Sequence, residues 1–102
     1  MTCAYKDCPH PIWRDEHCIF HHEDVAAKKD EFDVAFKRYF DACNEDDEIK
    51  KYNFRGFVFP DVSFSHWEFL KHANFSKSQF SGVADFTDSQ FSGSAFFNWA
   101  VF

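Results

Sequence analysis

Phenylalanine recurs through the second half of this 102-residue chain with a fixed period, and that period limits the fold more than any other feature. Phe64, Phe75, Phe86 and Phe97 stand eleven residues apart, and so do Phe69, Phe80, Phe91 and Phe102. Interleaved, the two series alternate steps of five and six, and Phe54, Phe59 and Phe64 extend them upstream in steps of five. A period of eleven also fits a right-handed coil of α-helices. The residues between argue against helix, because Phe80-Ser81-Gly82 and Phe91-Ser92-Gly93 are built from weak helix formers. Short extended pieces joined by tight turns remain. Residues two apart then share a face. Each Phe turns inward with the residue two before it, which is small from Phe75 onward: Ala73, Ser78, Ala84, Ser89, Ala95 and Ala100. The residue between them faces out, as at Asn74, Gln79, Asp85 and Gln90. Alternating large and small inward residues suit a narrow, filled interior.

Composition supports a boundary near Lys51-Tyr52. All eight Ser, all three Gly and twelve of the sixteen Phe follow it, whereas all four Cys precede it. Residues 1–51 carry a net charge of −5 and residues 52–102 one of −1. Leu70 is the sole leucine, so rings must supply most of the core. A net charge of −6 gives no electrostatic footprint for nucleic acid. No apolar run approaches the roughly 20 residues of a membrane span, and the first residues lack a signal-peptide plan, so a cytoplasmic protein without membrane contact is expected.

The stretch Val62-Ser63-Phe64 through Ala100-Val101-Phe102 resembles the pentapeptide-repeat family, in the variant alternating five- and six-residue units. Tyr52-Asn53-Phe54-Arg55-Gly56-Phe57-Val58-Phe59-Pro60 looks like the start of the same pattern. The resemblance covers about half the chain. It implies a mainly β fold: a short right-handed quadrilateral β-helix (solenoid), one unit per face and about 22 residues per coil, from a bacterial source. Phe54 to Phe102 makes ten units, or about two and a half coils. At the start, the inward partners Tyr52, Phe57, Val62 and Trp67 are large and can close the core from above. At the far end Phe96 and Val101 fall on outward positions, and Trp99 two residues after a core Phe. Two readings stand for that end: a cap folded over itself or a truncated chain, and self-association through Phe96, Trp99, Val101 and Phe102.

Cys3, Cys8, Cys18 and His21 form C-x4-C-x9-C-x2-H. Three thiolates and an imidazole make a closed tetrahedral set suited to structural Zn2+. His22 can replace His21, and His10 and His17 are further candidates. Disulfides and unbonded buried thiols are the competing readings, and a Cys nucleophile lacks a legible orienting group. Cys18-Ile19-Phe20-His21 resembles the short cysteine/histidine leader of some pentapeptide-repeat proteins, which favours His21.

The region from Asp24 to Cys43 reads as an amphipathic helix. Val25, Phe32, Phe36, Tyr39, Phe40 and Cys43 form its apolar stripe, to be packed on the first coil. Lys28, Lys29, Asp30, Asp33, Lys37 and Asp41 are expected on its other faces, with Asp33 and Lys37 as an i,i+4 pair. Cys43 is assigned to packing, not ligation. Asn44-Glu45-Asp46-Asp47-Glu48 reads as a solvated linker, and His66 and His72 as exposed residues. The chain thus divides into a knuckle (1–22), a helix with acidic linker (23–51) and the repeat (52–102).

Phosphate loops, nucleophile elbows and H-E-x-x-H are absent. The leading functional reading is a non-enzymatic protein-interaction or scaffold module with an unidentified protein partner. The family likeness adds a second reading, a DNA-mimicking protein acting on DNA gyrase. A zinc-dependent enzyme ranks last, because a full ligand set leaves no open metal position.

Overall fold

In the computed structural model, which describes residues 2–102, one helix and nine short strands follow an irregular N-terminal segment. Residue 1 of the expected knuckle lies outside the described residues. Helix α1 runs Val25–Glu45. The strands are β1 (Lys51–Asn53), β2 (Val58–Phe59), β3 (Val62–Ser63), β4 (Glu68–Phe69), β5 (His72–Asn74), β6 (Gln79–Phe80), β7 (Ala84–Asp85), β8 (Gln90–Phe91) and β9 (Ala95–Phe96).

The strands form four small parallel sheets: β1-β5-β9, β2-β6, β3-β7 and β4-β8. Their register restates the sequence period. Tyr52 pairs with Ala73 and Val58 with Gln79, 21 residues on. Val62 pairs with Ala84, Glu68 with Gln90 and Ala73 with Ala95, 22 residues on. The one-residue change follows from the spacing, since Phe54, Phe59 and Phe64 step by five and five where the next turn of chain steps by five and six.

Parallel register puts each phenylalanine over its equivalent. Phe80 lies between Phe59 and Phe102, each at 4.6 Å and within 3° of parallel. Phe69 stacks on Phe91 at 4.5 Å, and Phe75 on Phe97 at 4.9 Å. These distances match the roughly 4.8 Å strand spacing, so backbone pairing and ring stacking reinforce each other. Phe54, Phe59, Phe64, Phe69, Phe75 and Phe80 are buried, while the intervening Gln79 is exposed.

At every second connection between strands the chain turns through a left-handed residue. Gly56, His66, Lys77, Asp88 and Trp99 all have φ between 56° and 70°, each two residues after a core Phe. The turn closes with the next N–H donating back to that Phe carbonyl, as from Trp67 to Phe64, Ser78 to Phe75 and Ser89 to Phe86. Ser78 and Ser89 also donate their hydroxyls to the same carbonyls, at 2.6 and 2.7 Å. This satisfies a polar side chain at an inward position and explains why Ser alternates there with Ala.

Asp24 caps α1, accepting from the Ala27 N–H at 3.1 Å. The stripe Phe32, Phe36, Phe40 and Cys43 is buried as expected. Phe36 packs on Phe54, Phe59, Phe64 and Trp67, and Phe40 on Tyr52, Trp67 and Phe69. The helix therefore lies across the first layer of rings.

Three expectations for this region need correction. Lys28 does not face solvent. It is fully buried, and its ammonium donates to the carbonyls of Ile19 and His22. It stands four residues before Phe32, on the same stripe, and the knuckle carbonyls above replace its water. Asp33 pairs with Lys29 instead of Lys37, which pairs with Asp41 at 2.8 Å and lies over the Phe40 and Trp67 rings. The acidic run is only partly linker. Asn44 and Glu45 complete the helix, and Asn44 accepts from the Tyr52 hydroxyl. Lys71 then caps the helix end by donating to the carbonyls of Cys43 and Asp46. His66 and His72 are exposed as expected, although His72 accepts from the Ser94 N–H at 2.8 Å.

No helix among the described residues is long and apolar enough to cross a membrane.

Candidate metal centre

The N-terminal segment is held by backbone bonds that fold it on itself. Cys3 N–H donates to His10 O at 3.0 Å, and Ala4 N–H to Glu16 O at 2.7 Å. Thr2 bridges Pro11, and Arg14 bridges His17. A tight turn after Cys18 follows, with the N–H groups of His21 and His22 both donating to Cys18 O. These links bring together residues far apart in sequence. The ligand atoms of Cys3, Cys8, Cys18 and His21 lie within 4.8 Å of one another.

The spacing suits a tetrahedral ion. Metal–sulfur bonds of about 2.3 Å and a metal–nitrogen bond of about 2.0 Å place sulfurs about 3.8 Å apart, and sulfur about 3.5 Å from nitrogen. Cys8 Sγ and Cys18 Sγ are 3.8 Å apart. His21 Nδ1 lies 3.6 Å from Cys3 Sγ and 3.2 Å from Cys18 Sγ. All four cysteines are free thiols, and 3.8 Å is nearly twice a disulfide bond length.

Surrounding groups orient the imidazole. His21 Nε2–H donates to the Arg55 carbonyl at 2.9 Å, which leaves the Nδ1 lone pair facing the sulfurs. Tyr5 stacks on the ring at 4.0 Å, nearly parallel. Burial lowers the His21 pKa, so the ring is held neutral, as a ligand must be. Gly56, with φ 70°, passes so close that a Cβ there would lie 2.3 Å from Tyr5 Oη. Glycine is thus required where the first turn of the strand region meets the knuckle.

The thiols differ in environment. Burial raises Cys18, and the neighbouring Cys8 and Cys3 thiolates raise it further. Burial likewise raises Cys8. Burial also opposes ionisation of Cys3, but bonds from the Cys18 and Tyr5 backbone and from the Cys18 and Cys8 side chains outweigh it, and its pKa is lowered. Packing three thiolates together without a cation is costly, and a divalent ion reverses that cost.

The remaining histidines point elsewhere. His22 Nε2 pairs with Asp15 at 2.8 Å while its Nδ1 accepts from Asp24 N–H. His17 Nδ1 bonds to the Asp15 carbonyl. His10 packs edge-on to Phe20 and Tyr39. Cys43 is buried on α1, apart from the cluster. Of the two adjacent histidines, the turn after Cys18 selects His21.

The knuckle is joined to the rest of the chain by apolar packing. Phe20 stacks on Phe57 at 4.6 Å and 7°, and its carbonyl accepts from Val58 N–H at 2.7 Å. Cys3, Cys18 and Phe20 belong to the same buried cluster as Phe32, Phe54 and Phe75. Among known proteins, no family model, no curated protein and no solved structure matches this chain.

Proposed function

We propose that this protein is a non-enzymatic interaction or scaffold module, a short right-handed quadrilateral β-helix of pentapeptide-repeat type closed at one end by α1 and a zinc knuckle. The observation that carries the reading is the recurrence of parallel pairs 21 or 22 residues apart in four separate sheets, with phenylalanine stacked inside. Four walls met in order, then met again, are what a four-sided coil requires. Such a rod offers regular outward faces to another protein.

The metal is proposed to be Zn2+, held by Cys3, Cys8, Cys18 and His21, on the donor chemistry and the near-tetrahedral spacing. Four protein ligands leave no position for water or substrate, so its role is structural and hydrolysis at the metal is not expected.

The proposed partner surface is the apolar group formed by Phe96, Trp99, Val101 and Phe102, with a second copy of the chain as its occupant. All four are exposed, Trp99 by 84%. Trp99 also takes the left-handed turn position, which costs a bulky L-residue about 1–2 kcal/mol. Sedimentation tests the reading. The wild-type chain is expected to dimerise at micromolar concentration, and Trp99→Glu to be monomeric with unchanged circular dichroism. A wild-type chain that stays monomeric at high concentration overturns self-association. Inhibition of DNA gyrase supercoiling by the Trp99→Glu monomer would favour the DNA-mimic alternative.

A further inference from the structure

A cavity of about 530 Å³ lies where the knuckle meets the first two turns of the strand region. Its lining draws cations from distant parts of the chain. Lys6 comes from the knuckle, Lys51 from β1, Arg55 from the following turn and Lys77 from the turn after β5. Asp7 is the one acidic residue among them. Among the described residues only Lys29 and Lys37 on α1 are lysines or arginines in ion pairs, so what marks the cavity is that four cations, none of them paired, converge on it. The chain as a whole carries −6. A concentration of unpaired positive charge around one concavity is therefore contrary to the background.

We propose that this cavity binds a phosphate group carried on a small molecule. Four cations against one carboxylate leave three positive charges. Three thiolates and a neutral imidazole around a divalent ion would place one negative charge nearby, which still leaves an excess matched to a dianion better than to a monocarboxylate. Arg55 supplies a planar fork suited to two phosphate oxygens, and the three lysines supply adjustable point charges. Tyr39 and Phe57 also line the cavity and supply apolar surface for the rest of the ligand. The volume falls within the range of small-molecule sites. The backbone that presents the cations is fixed: Lys51 pairs in β1, Gly56 N–H bonds to Ser76 O, and Lys77 N–H to Asn98 O. The site is thus built by the same pairing that stacks the turns.

Calorimetric titration of the full chain tests this, with phenyl phosphate, inorganic phosphate and acetate as probes. Phenyl phosphate is expected to bind most tightly and acetate most weakly. Arg55→Gln and Lys77→Gln, both at exposed positions, are each expected to weaken phenyl phosphate about tenfold. Lys29→Gln, on α1, is expected to leave binding unchanged. Inorganic phosphate binding as tightly as phenyl phosphate would overturn the small-molecule part and assign the cavity to free phosphate. Phosphate binding no tighter than acetate, or an equal loss in Lys29→Gln, overturns the site itself.

Discussion

Replacing stacked phenylalanines by alanine is expected to give a graded loss of stability along the sequence of layers. Phe69 is fully buried, stacked on Phe91 at 4.5 Å and ringed by Phe40, Tyr52 and Phe64. A cavity there has packed rings on every side and little freedom to collapse, so Phe69→Ala is expected to cost about 4–5 kcal/mol. Phe80 is also buried, at 4% exposure, but one of its two stacking neighbours, Phe102, is itself 71% exposed. That neighbour can move into the gap, which puts Phe80→Ala nearer about 3 kcal/mol. Phe102→Ala removes mostly exposed surface and is expected to cost about 1 kcal/mol or less. Gln79→Ala, pointing outward beside Phe80, is expected to fall within about 0.5 kcal/mol of wild type. Urea unfolding at low protein concentration reads all four, and the midpoints are comparable if the slopes agree. In a chain of this size about 3 kcal/mol corresponds to a fall in Tm of about 12–24 °C. If Phe80→Ala is no worse than Gln79→Ala, the inward register is wrong. If Phe102→Ala costs as much as Phe69→Ala, the layer order inferred from exposure fails.

Two further outcomes follow from the knuckle and its junction with α1. Reduced protein purified from metal-free buffer is expected to hold about one zinc per chain, and Cys8→Ser or chelation to release it. The Trp13 fluorescence would change with release, and stability would fall steeply, because such sites supply about 10–16 kcal/mol in small fingers. A stoichiometry near zero would refute the assignment. Lys28 yields a pH dependence: burial lowers its pKa from 10.5 to about 8. The unfolded chain therefore binds more protons between those values, so stability rises with pH through that window and is lost as pH falls toward 8. The change is at most about 3 kcal/mol, and Lys28→Met is expected to remove it from the difference between pH 7.5 and pH 10. Identical pH slopes in the two proteins would sink the argument.

The strand pairs were legible because ring stacking and backbone pairing impose one spacing, so the phenylalanine period carries the register of β5 through β9 directly. The left-handed turn residues share that period, but only Gly56 shows it plainly. His66 and Asp88 are residue types that tolerate this conformation better than most, but Lys77 and Trp99 give no local sign, since the turn is imposed by the pairing on either side. Lys28 was misplaced because a charge on a helix is ordinarily solvated. Its spacing from Phe32 and Phe36 was the available clue, and the carbonyls that receive it become visible only when the knuckle is folded. The choice between His21 and His22 was open in the sequence because the two are adjacent, and a single turn closed on the Cys18 carbonyl decides their directions. The cationic cavity had no sequence signal at all, as residues 6, 51, 55 and 77 share no local pattern.

The inward positions two before each phenylalanine encode where the stack is closed. In the first turn they are Tyr52, Phe57, Val62 and Trp67, and in the next they are Ala73, Ser78, Ala84 and Ser89. The large set does more than fill space beside its own phenylalanines. Phe57 stacks on Phe20, Tyr52 on Phe40, and Trp67 on Phe36, so these three of the four reach the knuckle or α1. The small set needs no such reach, because its neighbours on that side are the rings of the previous turn. A layer of small residues at the first turn would leave a gap beneath α1, and large residues in the second would collide with the layer above. The cations follow the same logic, with Lys28 tying the start of α1 to the knuckle and Lys71 tying its end to the strand region. Helix and knuckle are therefore specified by the first turn itself, which explains why one buried cluster runs from Cys3 to Phe80 with no apolar break at the compositional boundary.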